Sequence, residues 1–195
     1  MERFKIISEF VSKKAHVLDL GCGDGTLLDY LSETKHISGY GVEYDENHVV
    51  SCVEKGISVF QGNINEGLSD ITDKRFDVAI LSHTLQQVKD PLFAMEELCR
   101  VAKIGIVTFP NFAHWACRWQ LLTGEIPKSK TLPHDWYNTP NIRVLSIKSF
   151  RRVCRENGFK IIHERPYIGQ SSWLKYIAAP LSNILSQKGL FVIRK

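Results

Sequence analysis

Val17-Leu18-Asp19-Leu20-Gly21-Cys22-Gly23-Asp24-Gly25-Thr26 decides the reading of this chain, because an apolar run breaks into three alternating glycines and an amphipathic segment follows at once. The run reads as a buried strand and the segment after it as a helix. Glycine adopts backbone angles closed to other residues and lets a ligand approach the main chain, while the N-terminus of the following helix offers free N–H groups. Gly21, Gly23 and Gly25 therefore predict a nucleotide-cofactor loop. Eighteen residues after Gly25, Glu43 ends a second apolar segment, 37–42, with Tyr44 next to it. The Glu43 carboxylate suits the two hydroxyls of a ribose.

The glycine spacing narrows the cofactor. A dinucleotide fingerprint, Gly-x-Gly-x-x-Gly, needs its third glycine at the position of Thr26, so the register is wrong for NAD. A ligand-free strand-to-helix turn would account for the glycines but not for the acid at the end of the second strand. With Asp19 two residues before the first glycine, the stretch resembles the first motif of class I S-adenosylmethionine-dependent methyltransferases. That resemblance implies S-adenosylmethionine, or S-adenosylhomocysteine, as the cofactor, so the loop accommodates a ribose and an amino-acid zwitterion instead of a pyrophosphate.

The rest of the chain is consistent with one α/β domain over 1–195. Five cysteines, none in Cys-x-x-Cys spacing, fit a reduced cytoplasmic setting and give no metal site. The N-terminus lacks the apolar core of a signal peptide, and no uncharged stretch has the length of a membrane span. Residues 1–110 hold 11 Lys/Arg against 17 Asp/Glu, whereas 111–195 hold 14 against 4. The basic residues are dispersed through apolar segments, so a solvated face, an acidic protein partner or an anionic substrate suits them better than nucleic acid.

Apolar and amphipathic segments alternate in the manner of a doubly wound sheet. Strands are expected near 16–20, 38–43, 57–60, 76–82, 104–109, 159–165 and 189–194, and helices over 24–33, 46–55, 91–102 and 147–157. Asp90 caps the third helix with Pro91 in its first turn; Ser146 caps the fourth and Gly158 terminates it. The expected architecture is a Rossmann-like class I methyltransferase fold, a seven-stranded, mostly parallel sheet with helices on both faces. After the fifth strand, 111–146 breaks the rhythm with Trp115, Trp119, Pro127, Pro133, Trp136 and Pro140. A segment this long reads as an insertion that serves as a lid or binding element.

Two further stretches complete the expected cofactor wall. Gly62-Asn63-Ile64 resembles the methyltransferase element whose aspartate accepts from the adenine amino group, here with Asn63 supplying a neutral acceptor and Ile64 beside it. A surface turn is the alternative reading of Asn63. At the end of the fourth strand stands Ser82-His83-Thr84, where the family's main chain meets the cofactor amino group; Asp77, leading that strand, resembles a structural position.

Three longer stretches carry a narrower resemblance. Phe109-Pro110-Asn111-Phe112-Ala113-His114-Trp115, Leu132-Pro133-His134-Asp135-Trp136-Tyr137-Asn138-Thr139-Pro140-Asn141-Ile142-Arg143, and Ser149-Phe150 with Cys154 resemble the MetW family of methionine-biosynthesis proteins, nearly end to end. His134, Asn138, Arg143 and His83 stand where that family more often carries tyrosine, aspartate, histidine and glutamine, which marks a diverged member. The resemblance implies methionine biosynthesis and a link to homoserine O-acyltransferase. Two functions follow: a methyltransferase acting on a small molecule, or a non-catalytic partner or regulator of the acyltransferase that binds the nucleoside. Methyl transfer asks for an aligned nucleophile and, where that is protonated, a base. His83, His114, His134, Asp135 and Tyr137 are the weak candidates.

Overall fold

The computed structural model describes residues 2–165 and 181–195. Its strands are β1 (His16–Leu20), β2 (Ser38–Glu43), β3 (Ser58–Gln61), β4 (Phe76–Ser82), β5 (Ala102–Pro110), β6 (Lys160–Glu164) and β7 (Lys188–Arg194). They form one sheet in the order β3-β2-β1-β4-β5-β7-β6. β1 to β5 run parallel, and β7 pairs antiparallel with both β5 and β6. The order reverses between β1 and β4, where a crevice opens at the carboxyl ends of the strands.

Alternation along the buried strands divides the core into two layers, since successive side chains point to opposite faces. On one face Val17, Val78, Ile80 and Ile106 pack with α1 (Glu2–Ser8), α2 (Thr26–Lys35) and α3 (Glu46–Glu54) through Ile7, Leu27, Leu28, Leu31 and Cys52. On the other, Leu18, Leu20, Ala79, Leu81 and Val107 meet α4 (Pro91–Val101) and α6 (Ile147–Glu156) through Met95, Leu98, Phe150 and Cys154. Phe109, Phe150 and Phe191 cluster here, with ring centroids 4.6–5.7 Å apart.

Local chemistry sets the ends of these elements. The Asp90 carboxylate accepts from the N–H groups of Leu92 and Phe93, and Ser146 with Ser149 forms a reciprocal capping box. Asp77 accepts from His16 N–H and pairs with Lys103, a structural role as expected. Helix α2 starts at Thr26, two residues later than the sequence suggested, because Gly25 is left-handed (φ 76°) and forms the N-cap. The sequence reading missed α1 and α5 (Trp115–Leu122). Both are short, and α5 buries only Cys117, so neither presents a clear apolar stripe. Among the described residues no helix is long and apolar enough to cross a membrane, and all five cysteines are free thiols.

Candidate cofactor cleft

At the crevice between β1 and β4 lies a cavity of about 750 Å³, within the range of small-molecule sites. β1 and its loop contribute Asp19, Gly21, Cys22 and Gly23; the end of β2 and the residue after it contribute Glu43 and Tyr44; the turn after β3 contributes Asn63 and Ile64; the end of β4 and the residue after it contribute Ser82 and His83. Of the cofactor positions expected from sequence, Gly25 alone is absent from the wall. A Cβ there would lie 2.5 Å from Ile57 Cδ1, so Gly25 is required for packing and for the left-handed cap. At Gly23 (φ 57°) a Cβ would meet nothing within 4 Å. The main chain at Gly23 is therefore open to an approaching ligand.

Glu43 holds the loop. Its Oε2 accepts from Gly23 N–H at 2.7 Å, and its Oε1 accepts from the N–H groups of Tyr44 and Asp45 at 2.8 and 3.0 Å. A carboxylate offers about four lone-pair positions, so three are occupied and one on Oε2 remains for a ligand hydroxyl. The sequence suggested a carboxylate accepting from the two hydroxyls of a ribose; in this structure one such lone-pair position stands open. Asn63 is also committed: its amide oxygen accepts from the backbone and side-chain N–H groups of Asn65, and its amide nitrogen donates to Glu66. It caps the 3-10 turn Ile64–Glu66, so its amide oxygen is not the open adenine acceptor that the sequence suggested.

Opposite charges line the inner end. Asp19 is 2% exposed, its Oδ1 has no hydrogen-bond partner, and burial pushes its carboxyl up to about 7 while the Arg3 guanidinium pulls it down and Glu43 pushes it further up. Arg3, on α1, lines the same cavity, and its own pKa is lowered by burial and raised by Asp19. Ser82 Oγ is likewise buried without a partner. His83, at φ 63°, donates its N–H to Thr108 O, and its buried Nε2 is unpartnered. Burial, then the charges of Arg3 and Lys188, lower the His83 imidazole to about 3, which leaves it neutral and a poor base at pH 7.

The other catalytic candidates lie elsewhere. His114 is the N-cap of α5, its Nδ1 accepting from Ala116 N–H, and burial lowers its pKa; this is a structural role. His134, Asp135 and Tyr137 do not line the cavity, and Asp135 is paired with Lys128. No residue of 111–146 lines it either. The segment reaches its rim at Ile142 and Arg143, whose N–H groups donate to Gln86 O, and at Arg143 Nη2, which donates to Lys89 O. Sequence reasoning missed Arg3, Cys22, His48 and Lys89 as lining residues. Arg3 belongs to a helix too short to announce itself, and only the glycine-loop position of Cys22 could have flagged it.

The family described as methionine biosynthesis protein MetW matches the chain over residues 1–193. The chain belongs to the MetW family. A bifunctional methionine biosynthesis protein MetXA/MetW of Rhodopirellula baltica is 35% identical over 155 residues, covering 74% of the chain and 25% of that protein. The chain thus spans about a quarter of that relative's length. The demethylmenaquinone methyltransferase of Shouchella clausii is 27% identical over 172 residues, covering 78% of the chain and 73% of that enzyme. An S-adenosylmethionine-dependent methyltransferase structure from Mesorhizobium loti superposes with a TM-score of 0.72 at 15% identity, covering 100% of the chain and 98% of that structure. This MetW-family chain therefore has the class I methyltransferase fold expected from its glycine loop.

Proposed function

We propose that the cleft binds S-adenosylmethionine or S-adenosylhomocysteine and that the protein serves methionine biosynthesis together with a homoserine O-acyltransferase, in the cytoplasm. The observation that carries the nucleoside reading is Asp19: a buried carboxyl with an unpartnered oxygen on the wall of a cavity that Arg3 also lines. An amino-acid zwitterion supplies the ammonium that Asp19 lacks and a carboxylate for Arg3. Glu43, through its free lone pair on Oε2, would take a ribose hydroxyl, and the open main chain at Gly23 would lie against the ligand. When bound, S-adenosylmethionine supplies an electrophilic methyl group. The chain's part is to orient the ligand and to keep water from the buried end.

For the second component, the observations are the MetXA/MetW architecture of the Rhodopirellula baltica relative and a run of exposed apolar side chains on the insertion. Trp136 and Tyr137 are 72% and 71% exposed, and Trp115, Trp119, Leu121 and Leu122 are exposed as well. Such aromatics are the usual anchors of protein interfaces. We read 111–146 as the surface that docks on the acyltransferase. A partner or regulator fits this placement better than a lid fixed over the cleft, because the insertion meets only the cavity rim. Small-molecule methyl transfer is the second reading, favoured by the unpartnered His83 Nε2 on the cavity wall, which can orient an acceptor by a hydrogen bond without serving as its base.

Calorimetric titration with S-adenosylhomocysteine tests the first component, with Asp19→Asn expected to bind at least tenfold more weakly. An acyl-transfer assay on the co-expressed acyltransferase, with and without this protein, tests the second. No heat of binding at millimolar ligand removes the nucleoside reading; equal acyl-transfer rates remove the partner reading.

A further inference from the structure

One segment of chain serves both the cofactor cleft and the insertion. Residues 83–89 leave β4 at His83, whose φ of 63° is left-handed, a conformation that residues other than glycine rarely adopt, and line the cavity through Thr84, Gln87, Val88 and Lys89. At its start the segment touches the glycine loop: a Cβ on Gly21 would lie 2.6 Å from Thr84 Cγ2. At its end Lys89 N–H donates to Asn65 Oδ1 at 2.7 Å, and Asn65 donates its main-chain and side-chain N–H groups to Asn63 Oδ1 at 3.0 and 2.8 Å. The inner side of 83–89 therefore runs from the glycine loop to the Asn63 turn. Its outer side holds the insertion. Gln86, buried, accepts on its carbonyl from Ile142 and Arg143 N–H at 2.9 and 3.0 Å, and Lys89 O accepts from the Arg143 guanidinium. Gln86 Nε2 donates to His83 O at 2.6 Å, which braces the segment from within.

We propose that residues 83–89 couple the cleft to the insertion, so that nucleoside in the cleft strengthens docking of 111–146 on the acyltransferase. The coupling rests on the reading of the cleft as a nucleoside site and of 111–146 as the docking surface. A ligand seated between Gly21 and Asn63 lies against 83–89 and restrains it. Lys89 is the crossing point, its N–H tied to the Asn63 turn and its carbonyl to Arg143. The restraint leaves the cleft there and at Gln86 O, and it reaches Ile142 and Arg143, beside the exposed Val144. The insertion's two ends are tied to each other where Phe112 N–H donates to Leu145 O at 3.0 Å, so order at 142–143 is order in a closed loop. A surface already ordered by one ligand loses less freedom on meeting the next, and both affinities then rise by the same factor.

The test has two arms, both on the full chain with and without saturating S-adenosylhomocysteine. In the first, titration with the acyltransferase is expected to show a complex at least fivefold tighter when the nucleoside is present. Arg143→Ala, which removes the guanidinium bond to Lys89 O from outside the cavity wall, is expected to reduce that factor below two, whatever its own affinity for the partner. In the second arm, on the chain alone, the nucleoside is expected to slow amide hydrogen exchange at Ile142 and Arg143 at least fivefold. Asn157 N–H, at the exposed far end of α6, is expected to change less than twofold. Bound nucleoside that changes neither the complex nor these amides overturns the coupling and leaves both earlier readings standing. A complex weakened by nucleoside, or an undiminished factor in Arg143→Ala, overturns it as well. If circular dichroism shows that variant misfolded, Arg143→Met is read in its place with the same expectation. Failure of S-adenosylhomocysteine to bind removes the cleft reading and the coupling with it. Absence of a complex removes the partner reading alone, and amide exchange then decides whether cleft and insertion are coupled.

Discussion

Replacing Glu43 by Gln tests the loop geometry with the smallest change of shape. The carboxylate accepts from Gly23 on one oxygen and from Tyr44 and Asp45 on the other. An amide presents one acceptor oxygen and one N–H₂ group, so whichever way it turns, donors meet donors on one side. With the amide oxygen toward Tyr44 and Asp45, Gly23 N–H loses its partner and the ribose loses its charged acceptor. A hydrogen bond to a charged group contributes roughly 1.5–3 kcal/mol. At tenfold per 1.4 kcal/mol, Glu43→Gln is expected to weaken S-adenosylhomocysteine binding roughly 10- to 150-fold. The partly buried Gly23 N–H adds a stability loss of about 1 kcal/mol, or about 2–4 °C in melting temperature for a domain of this size. Calorimetry and thermal denaturation read the two effects separately. Affinity within twofold of the wild type, together with an unchanged melting temperature, would refute the clasp and the ribose assignment alike.

Four further outcomes are expected. Asp19 holds its proton up to about 7 in the folded chain against an ordinary 3.8, so its contribution to stability falls as pH rises between these values; His83, lowered to about 3 from 6.5, makes stability fall as pH drops through that window. The opposed slopes, about 1.4 kcal/mol per pH unit each, nearly cancel from about pH 4.5 to 6.5, so urea denaturation of Asp19→Asn should show stability climbing with pH there, and a slope equal to the wild type's would contradict the two assignments. Asn63→Ala should cost about 0.5–2 kcal/mol through its lost cap while changing nucleoside affinity less than threefold; the reverse order of effects would restore Asn63 as a ligand contact. His114→Ala should destabilise by a similar cap loss, about 0.5–2 kcal/mol, and leave S-adenosylhomocysteine titrations unchanged. Combined Trp136→Ala and Tyr137→Ala, both exposed, should fold and bind nucleoside but lose the acyltransferase in a pull-down; retention of the complex would move the docking surface elsewhere.

The sequence by itself determined the layers of this protein and the centre of its cleft. Residues Val17–Thr26 placed strand, loop and helix because apolar periodicity and left-handed glycines are local properties, and Glu43 could be found because a strand end displays its last side chain at the crevice. The family was legible for the same reason, in contiguous motifs. What each side chain does in the cleft was not local. Asn63 spends its hydrogen bonds on its own turn, Glu43 clasps the main chain of the distant glycine loop as well as its own turn, Gly25 packs against Ile57, and His114 caps a helix; all four matched a functional pattern whose decisive partners appear only once the chain is folded. Only the tertiary structure set Arg3 near Asp19 and Lys188 and left 111–146 at the rim of the cavity. Burial and the convergence of charge depend on residues far apart in sequence, and it is these that raise Asp19 and hold His83 neutral.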